Sequence, residues 1–157
     1  MTTITARDFM VNRLTTLTPD TDVGDAIRLL QRHYLSEAPV VDADGRYLGV
    51  LSERGCMQAI VDSGGEKLAP TKVGAVMDTD AKTITPQTPV AAIAEAFLHT
   101  PYRWLPVLAE DGILLGLVSR RDMVGAVIDT INPKATGRES PFRDISALMA
   151  PEQAPAT

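Results

Sequence analysis

Apolar positions along this chain fall into short blocks that alternate between two spacings. Val23, Ala26, Ile27 and Leu30 recur at the interval of one helix face, and Val90, Ile93, Ala94 and Phe97 do the same further on. Ahead of the second block, Thr88 reads as an N-cap and Pro89 as the first helical residue, where a missing N–H costs nothing. Each helix is followed by a compact apolar run, Ala38–Val41 or Leu105–Leu108, read as a strand. Asp44-Gly45 and Asp111-Gly112 come next, dipeptides that supply the positive φ angles of a hairpin turn. The runs Tyr47–Leu51 and Leu114–Val118 are the returning strands. Ser52 and Ser119 then open a last helix, through Met57–Val61 or Met123–Ile128. Short helical turns ending near Met10 and Met77 precede all this, with extended stretches around Leu17 and Ile84. The predicted order is β-α-β-β-α, twice, a mixed α/β (α+β) chain.

The two series are one pattern repeated without gaps. Ala6–Asp62 aligns with Val73–Asp129 at a shift of 67 residues, the distance from Met10 to Met77. Thr18-Pro19 falls on Thr85-Pro86, Pro39-Val40 on Pro106-Val107, Asp44-Gly45 on Asp111-Gly112, Leu48-Gly49 on Leu115-Gly116, Ser52 on Ser119 and Arg54 on Arg121. The expected organisation is a first repeat over 1–62, a flexible Gly-rich linker over 63–72, a second repeat over 73–131, and an extension over 132–157. In that extension Phe142–Met149 reads as a short helix and Ala150–Thr157 as a disordered tail. Neither copy is long enough to bury much core alone, so the two are expected to pack against each other.

Composition narrows the function classes. Of 157 residues 45 % are apolar and 22 % charged, and the formal net charge is −5. An acidic chain has no general electrostatic grip on nucleic acid or on an anionic membrane. No apolar stretch approaches the roughly 20 residues of a membrane helix, and the N-terminus shows no secretory apolar region. The single cysteine, Cys56, reads as a small buried hydrophobe in a helix, in a reducing compartment. A cytoplasmic location is the resulting expectation. No enzyme constellation stands out: the serines lie outside a Gly-x-Ser-x-Gly elbow, no His/Cys set has metal-ligand spacing, and His33 and His99 read as surface or capping residues.

The doubled set running from Ala38-Pro39-Val40-Val41 through Gly45 to Gly49-Val50-Leu51-Ser52, and from Leu105-Pro106-Val107 through Gly112 to Gly116-Leu117-Val118-Ser119-Arg120-Arg121-Asp122, resembles a tandem pair of CBS domains, the family named after cystathionine β-synthase. The resemblance spans Ala6 to Ile131. It implies two repeats packed through their sheets with pseudo-two-fold symmetry, two related clefts between them, adenine nucleotides or related molecules such as S-adenosylmethionine in one or both clefts, a flat homodimer of two pairs, and a regulatory rather than catalytic role.

The family's nucleotide signature, Gly-x-x-Ser/Thr-x-x-Asp/Asn, is complete in the second copy as Gly116, Ser119 and Asp122. A carboxylate there can accept hydrogen bonds from ribose hydroxyls. The Ser hydroxyl and free helix N–H groups can hold phosphate, with Arg120 and Arg121 pairing with its oxygens. Ser-x-x-Asp is equally the pattern of a helix capping box, so both readings stand here. By position in the family, Thr83, Thr85, Trp104 and Pro106 wall the base pocket and Arg103 adds a phosphate contact; Trp104 also reads as ordinary packing and Arg103 as a solvated surface residue. The first copy has Gly49 and Ser52 but Gly55 at the acidic position and Glu53 in place of Arg120, so the Asp122 site is expected to be the principal one. The function expected is a sensor for AMP, ADP or ATP that signals to a partner protein; the alternative is an interaction or oligomerisation module that binds no nucleotide, with Phe142–Met149 as a docking helix.

Overall fold

The computed structural model describes residues 3–131. After a single 3-10 turn at Ala6–Asp8 the elements run α1 (Val23–Arg32), β1 (Glu37–Val41), β2 (Tyr47–Ser52), α2 (Glu53–Asp62), α3 (Val73–Val76), α4 (Val90–Leu98), β3 (Trp104–Leu108), β4 (Leu114–Ser119) and α5 (Arg120–Ile131). The expected helix over Phe142–Met149 and tail over Ala150–Thr157 lie outside the described residues.

These elements form two compact units. The first unit holds residues 15–81; the second holds residues 3–14 together with 82–131. The segment that opens the chain is therefore built into the unit of the second copy, and the segment that opens the second copy into the unit of the first. Backbone hydrogen bonds fix this arrangement. In the second unit the Ala6 amide donates to the Thr88 carbonyl at 3.0 Å and the Val90 amide to the Ile4 carbonyl at 2.9 Å. In the first unit the Val73 amide donates to Thr21 at 2.8 Å and the Gly74 amide to Pro19 at 3.0 Å. Constant register in the sequence gives no sign of this, because a hydrophobic period reports which face is buried and not which distant segment covers it.

Each unit has its own core. In the first, Leu17, Val23, Leu30, Val40, Leu51, Cys56 and Val73 are buried together; in the second, Ala6, Ile84, Ile93, Phe97, Leu105, Val107, Val118 and Met123. Val73 and Ala6 are both 0 % exposed, so each opening segment supplies a fully buried side chain to its unit. Burial of a valine on this scale contributes about 1.5–3 kcal/mol. On α4 the buried face is Ile93, Ala96 and Phe97, with Val90 and Ala94 only partly covered.

The sheets are two-stranded antiparallel hairpins, β1 with β2 and β3 with β4. The expected first strand of each copy is a single bridge: Leu17 pairs parallel with Val40, and Ile84 with Val107. At each hairpin only the glycine has positive φ, Gly45 and Gly112 both at 85°. Gly45 donates to the Asp42 carbonyl at 3.1 Å and Asp42 to the Arg46 carbonyl at 2.9 Å, closing a three-residue loop of the type I plus left-handed glycine kind. Asp44 and Asp111 therefore do not share the positive φ expected of both turn residues. Both hairpins also slip register one pair further in, between Val40 and Val41 and between Val107 and Leu108.

Two further readings change. Thr88 does not cap α4: its Oγ1 accepts from the Thr85 amide at 2.9 Å, and Pro89 is the capping residue. His33 caps the end of α1 as expected, yet it is 7 % exposed rather than on the surface, and its Nδ1 has no hydrogen-bond partner.

Candidate functional site

All nine candidate residues fall in the second unit. The β3–β4 register pairs Trp104 with Ser119 and Pro106 with Leu117. Directly opposed residues share a sheet face, so Trp104, Pro106, Leu117 and Ser119 lie on one side. Leu105, Val107 and Val118 occupy the other side and are fully buried in the core. The Ile84 amide donates to the Pro106 carbonyl at 2.9 Å, and the Leu108 amide to the Ile84 carbonyl at 2.8 Å. Ile84 thus points with Val107 into the core, and Thr83 and Thr85 alternate to the face that carries Trp104 and Pro106.

At the β4–α5 junction Ser119 acts as the cap: the Asp122 amide donates to its Oγ at 2.9 Å. Ser119 and Asp122 are each 9 % exposed, whereas Arg103, Arg120 and Arg121 are exposed. The Arg120 amide donates to the Arg103 carbonyl at 3.3 Å, which brings the backbone of Arg103 beside the first residues of α5, Arg120 and Arg121. The capping reading of Ser119 is thus correct for the hydroxyl and the Asp122 amide. Arg103, Trp104, Arg121 and Asp122 all have interactions within the fold. Chemically, a buried aspartate in the first turn of a helix, with three exposed arginines on the adjoining backbone, suits a polyol joined to an anion.

Gly116 of the signature has a structural reason of its own. A Cβ there would stand 2.8 Å from the Val11 carbonyl oxygen. Val11 and Leu117 exchange backbone hydrogen bonds of 2.8 Å each way, which extends the hairpin by one bridge. Gly49 is placed in the same way, 2.7 Å from the Asp78 carbonyl oxygen.

The first unit repeats the frame with different chemistry. Ser52 caps α2 by accepting from the Gly55 amide at 3.2 Å. A Cβ at Gly55 would lie 3.3 Å from the Val76 carbonyl oxygen, so α3 crowds the place where the other copy carries its carboxylate. Glu37 pairs with Ser52 in the position of Trp104, and Glu53 stands in that of Arg120. The sequence did not single out Tyr47. Its hydroxyl is buried without a hydrogen-bond partner, and its pKa is pushed up to about 12 by burial, then by the charges of Asp78 and Glu37. The only advance sign was an aromatic at the start of a returning strand.

A cavity of about 690 Å³ opens at the hairpin-turn end of the second unit. Of the nine candidates it is lined by Thr85 alone. Among the described residues no His/Cys/Asp/Glu group is arranged to hold a metal ion, and no helix is long and apolar enough to cross a membrane.

The model of the CBS domain matches this chain twice, over residues 6–62 and 73–129. The chain belongs to the CBS domain family. This CBS pair is 30 % identical over 139 residues to a CBS domain-containing protein of Dictyostelium discoideum, covering 83 % of this chain and 95 % of that protein. A 17.7 kDa protein of Acidianus ambivalens is 29 % identical over 111 residues, covering 71 % of this chain and 65 % of that one. The CBS-pair protein CBSX2 from Arabidopsis thaliana superposes with a TM-score of 0.74 at 29 % identity, covering 82 % of this chain and 97 % of that one. CBSX2 has also been solved in complex with AMP; that structure superposes with a TM-score of 0.71 at 28 % identity, covering 82 % and 98 %. The tandem α/β pair read from the doubled sequence is the fold observed.

Proposed function

We propose that this CBS pair is a regulatory, non-catalytic module that binds an adenine nucleotide of the AMP, ADP or ATP kind at the Ser119–Asp122 end of α5 and passes the bound state to a partner protein. The observation that supports it is that a buried Asp122, the Ser119 cap and the exposed Arg103, Arg120 and Arg121 belong to one strand-to-helix junction, beside Trp104 and Pro106 on the same sheet face as Ser119, with Thr83 and Thr85 as the further proposed walls. Asp122 holds the ribose hydroxyls; the arginines and helix amides take the phosphate. The AMP complex of CBSX2 supports the ligand class. The first unit, with Gly55 and Glu53 at the matching positions, is the weaker site.

Calorimetry on the full chain with AMP, ADP, ATP and S-adenosylmethionine tests this. At least one is expected to bind, and Asp122→Ala to weaken it tenfold or more, with the ligand-free melting temperature confirming that the variant folds. Absence of binding by every adenine ligand overturns the proposal and leaves the interaction module. A specific observation favours self-association alongside either reading. Met57 and Val61 on α2 are 59 % and 66 % exposed, and the residues 67 positions later, Val124 and Ile128 on α5, are 51 % and 54 % exposed. Two matched apolar pairs suit a homodimer.

A further inference from the structure

The cavity at the hairpin-turn end of the second unit carries chemistry that, Thr85 apart, the nucleotide reading leaves unused. Its lining includes the apolar residues Pro86, Leu108 and Leu115. The charged residues that line it are of both signs: Arg7, from the 3-10 turn, and Glu110 with Asp111, from the β3–β4 turn. Among the described residues Arg7 makes no ion pair with either carboxylate, although all three border one space. Asp111 is held in place, its Oδ1 accepting from the Ile113 amide at 3.2 Å. Arg7 is anchored through its backbone, its amide donating to the Pro86 carbonyl at 3.0 Å.

The first unit provides an internal control. Its backbone makes the same anchor, with the Gly74 amide donating to the Pro19 carbonyl at 3.0 Å. The position of Arg7 is there Gly74, and that of Glu110 is Ala43. A Cβ on Gly74 would sit 3.1 Å from the Pro19 Cβ, so that unit has little room for a side chain at this point. The anchor serves the fold in both units; the cation and the glutamate are added in only one.

We propose that this cavity binds a free α-amino acid with an apolar side chain. The Arg7 guanidinium takes the α-carboxylate through paired hydrogen bonds, Glu110 and Asp111 take the α-ammonium, and the side chain lies on Pro86, Leu108 and Leu115. A volume of about 690 Å³ is ample for such a ligand. Because the charged walls are exposed, binding weakens as salt rises.

The test is amide NMR on the full chain at low ionic strength with L-leucine, N-acetyl-L-leucine and L-leucinamide at millimolar concentrations. Leucine is expected to shift the amides of Arg7, Gln87 and Glu110 to Ile113. Each derivative, lacking one of the two charges, is expected to bind at least tenfold more weakly. Arg7→Gly, which copies the first unit, and Glu110→Gln each reduce the leucine response by a similar factor. Saturating AMP is expected to leave the leucine shifts in place, whether or not AMP itself binds. The proposal is overturned if leucine leaves these amides unmoved, if either derivative binds as well as leucine, or if AMP displaces leucine.

Discussion

At the scale of single residues, two glycines and one tyrosine show how local chemistry is set by what the chain brings alongside. Gly116 and Gly49 are small because a backbone carbonyl passes within 2.8 Å and 2.7 Å of where their Cβ would be. The obstacle is main chain, so it does not rotate away. Gly116→Ala is expected to cost about 1–3 kcal/mol and to loosen the Val11–Leu117 bridge. Chemical denaturation gives the first effect and hydrogen exchange at the Val11 amide the second; unchanged exchange would show that the close approach is not what holds the segment. Tyr47 makes the opposite case. Its buried, unpartnered hydroxyl gains nothing from being polar, so Tyr47→Phe is expected to be as stable as the natural chain or about 1 kcal/mol more so at neutral pH. The folded-state pKa of about 12 lies above the ordinary value of 10.0. The unfolded chain therefore loses its phenolic proton first, and the stability tied to Tyr47 is intact below pH 10 and lost as pH climbs from 10 towards 12. Denaturation midpoints of the natural chain should fall relative to the phenylalanine variant across that window; parallel curves would refute the assignment. The sequence made the Ser119 cap legible because capping is local. It did not reveal the buried phenol, because desolvation depends on neighbours far along the chain.

At the scale of elements, the hairpin strands were readable to within a residue, while α5 runs three residues past the expected Ile128, and other departures have identifiable causes. Thr88 is a good cap by type, but the Thr85 amide claims its hydroxyl first. The end of α1 was not legible at all. Tyr34 adopts φ of 55°, the Leu35 amide donates to Leu30 at 2.9 Å, and the Tyr34 amide to Gln31 at 3.3 Å. This is a Schellman ending with a tyrosine where glycine is usual. A left-handed non-glycine residue costs about 1–2 kcal/mol, partly offset because glycine loses more backbone entropy on folding. Tyr34 is 74 % exposed, so little packing is at stake. Tyr34→Gly is expected to stabilise the first unit by about 0.5 kcal/mol, read from the denaturation midpoint. A loss of stability would mean that the ring makes a contact worth more than the strain.

At the scale of the whole molecule, the sequence announced two copies of one fold and left the assembly open. The proposed homodimer is tested by placing charge on both apolar pairs. Val61→Glu with Ile128→Glu is expected to convert a particle of twice the chain mass to one of single mass in light scattering. Both residues are more than half exposed, so the fold should tolerate the change. A natural chain already of single mass would remove the dimer from the picture.

The order in which the polypeptide leaves a ribosome gives the swapped openings a further meaning. Residues 15–81 emerge as one uninterrupted stretch and can close early. Residues 3–14 emerge before them but belong to a structure whose remaining parts, 82–131, are made last. Residues 3–14 thus wait until 82–131 have been made before they find their seat. Deleting residues 3–14 should therefore harm the unit that holds 82–131, not the unit of 15–81, and separating the chain between the copies should leave the second unit without its opening segment.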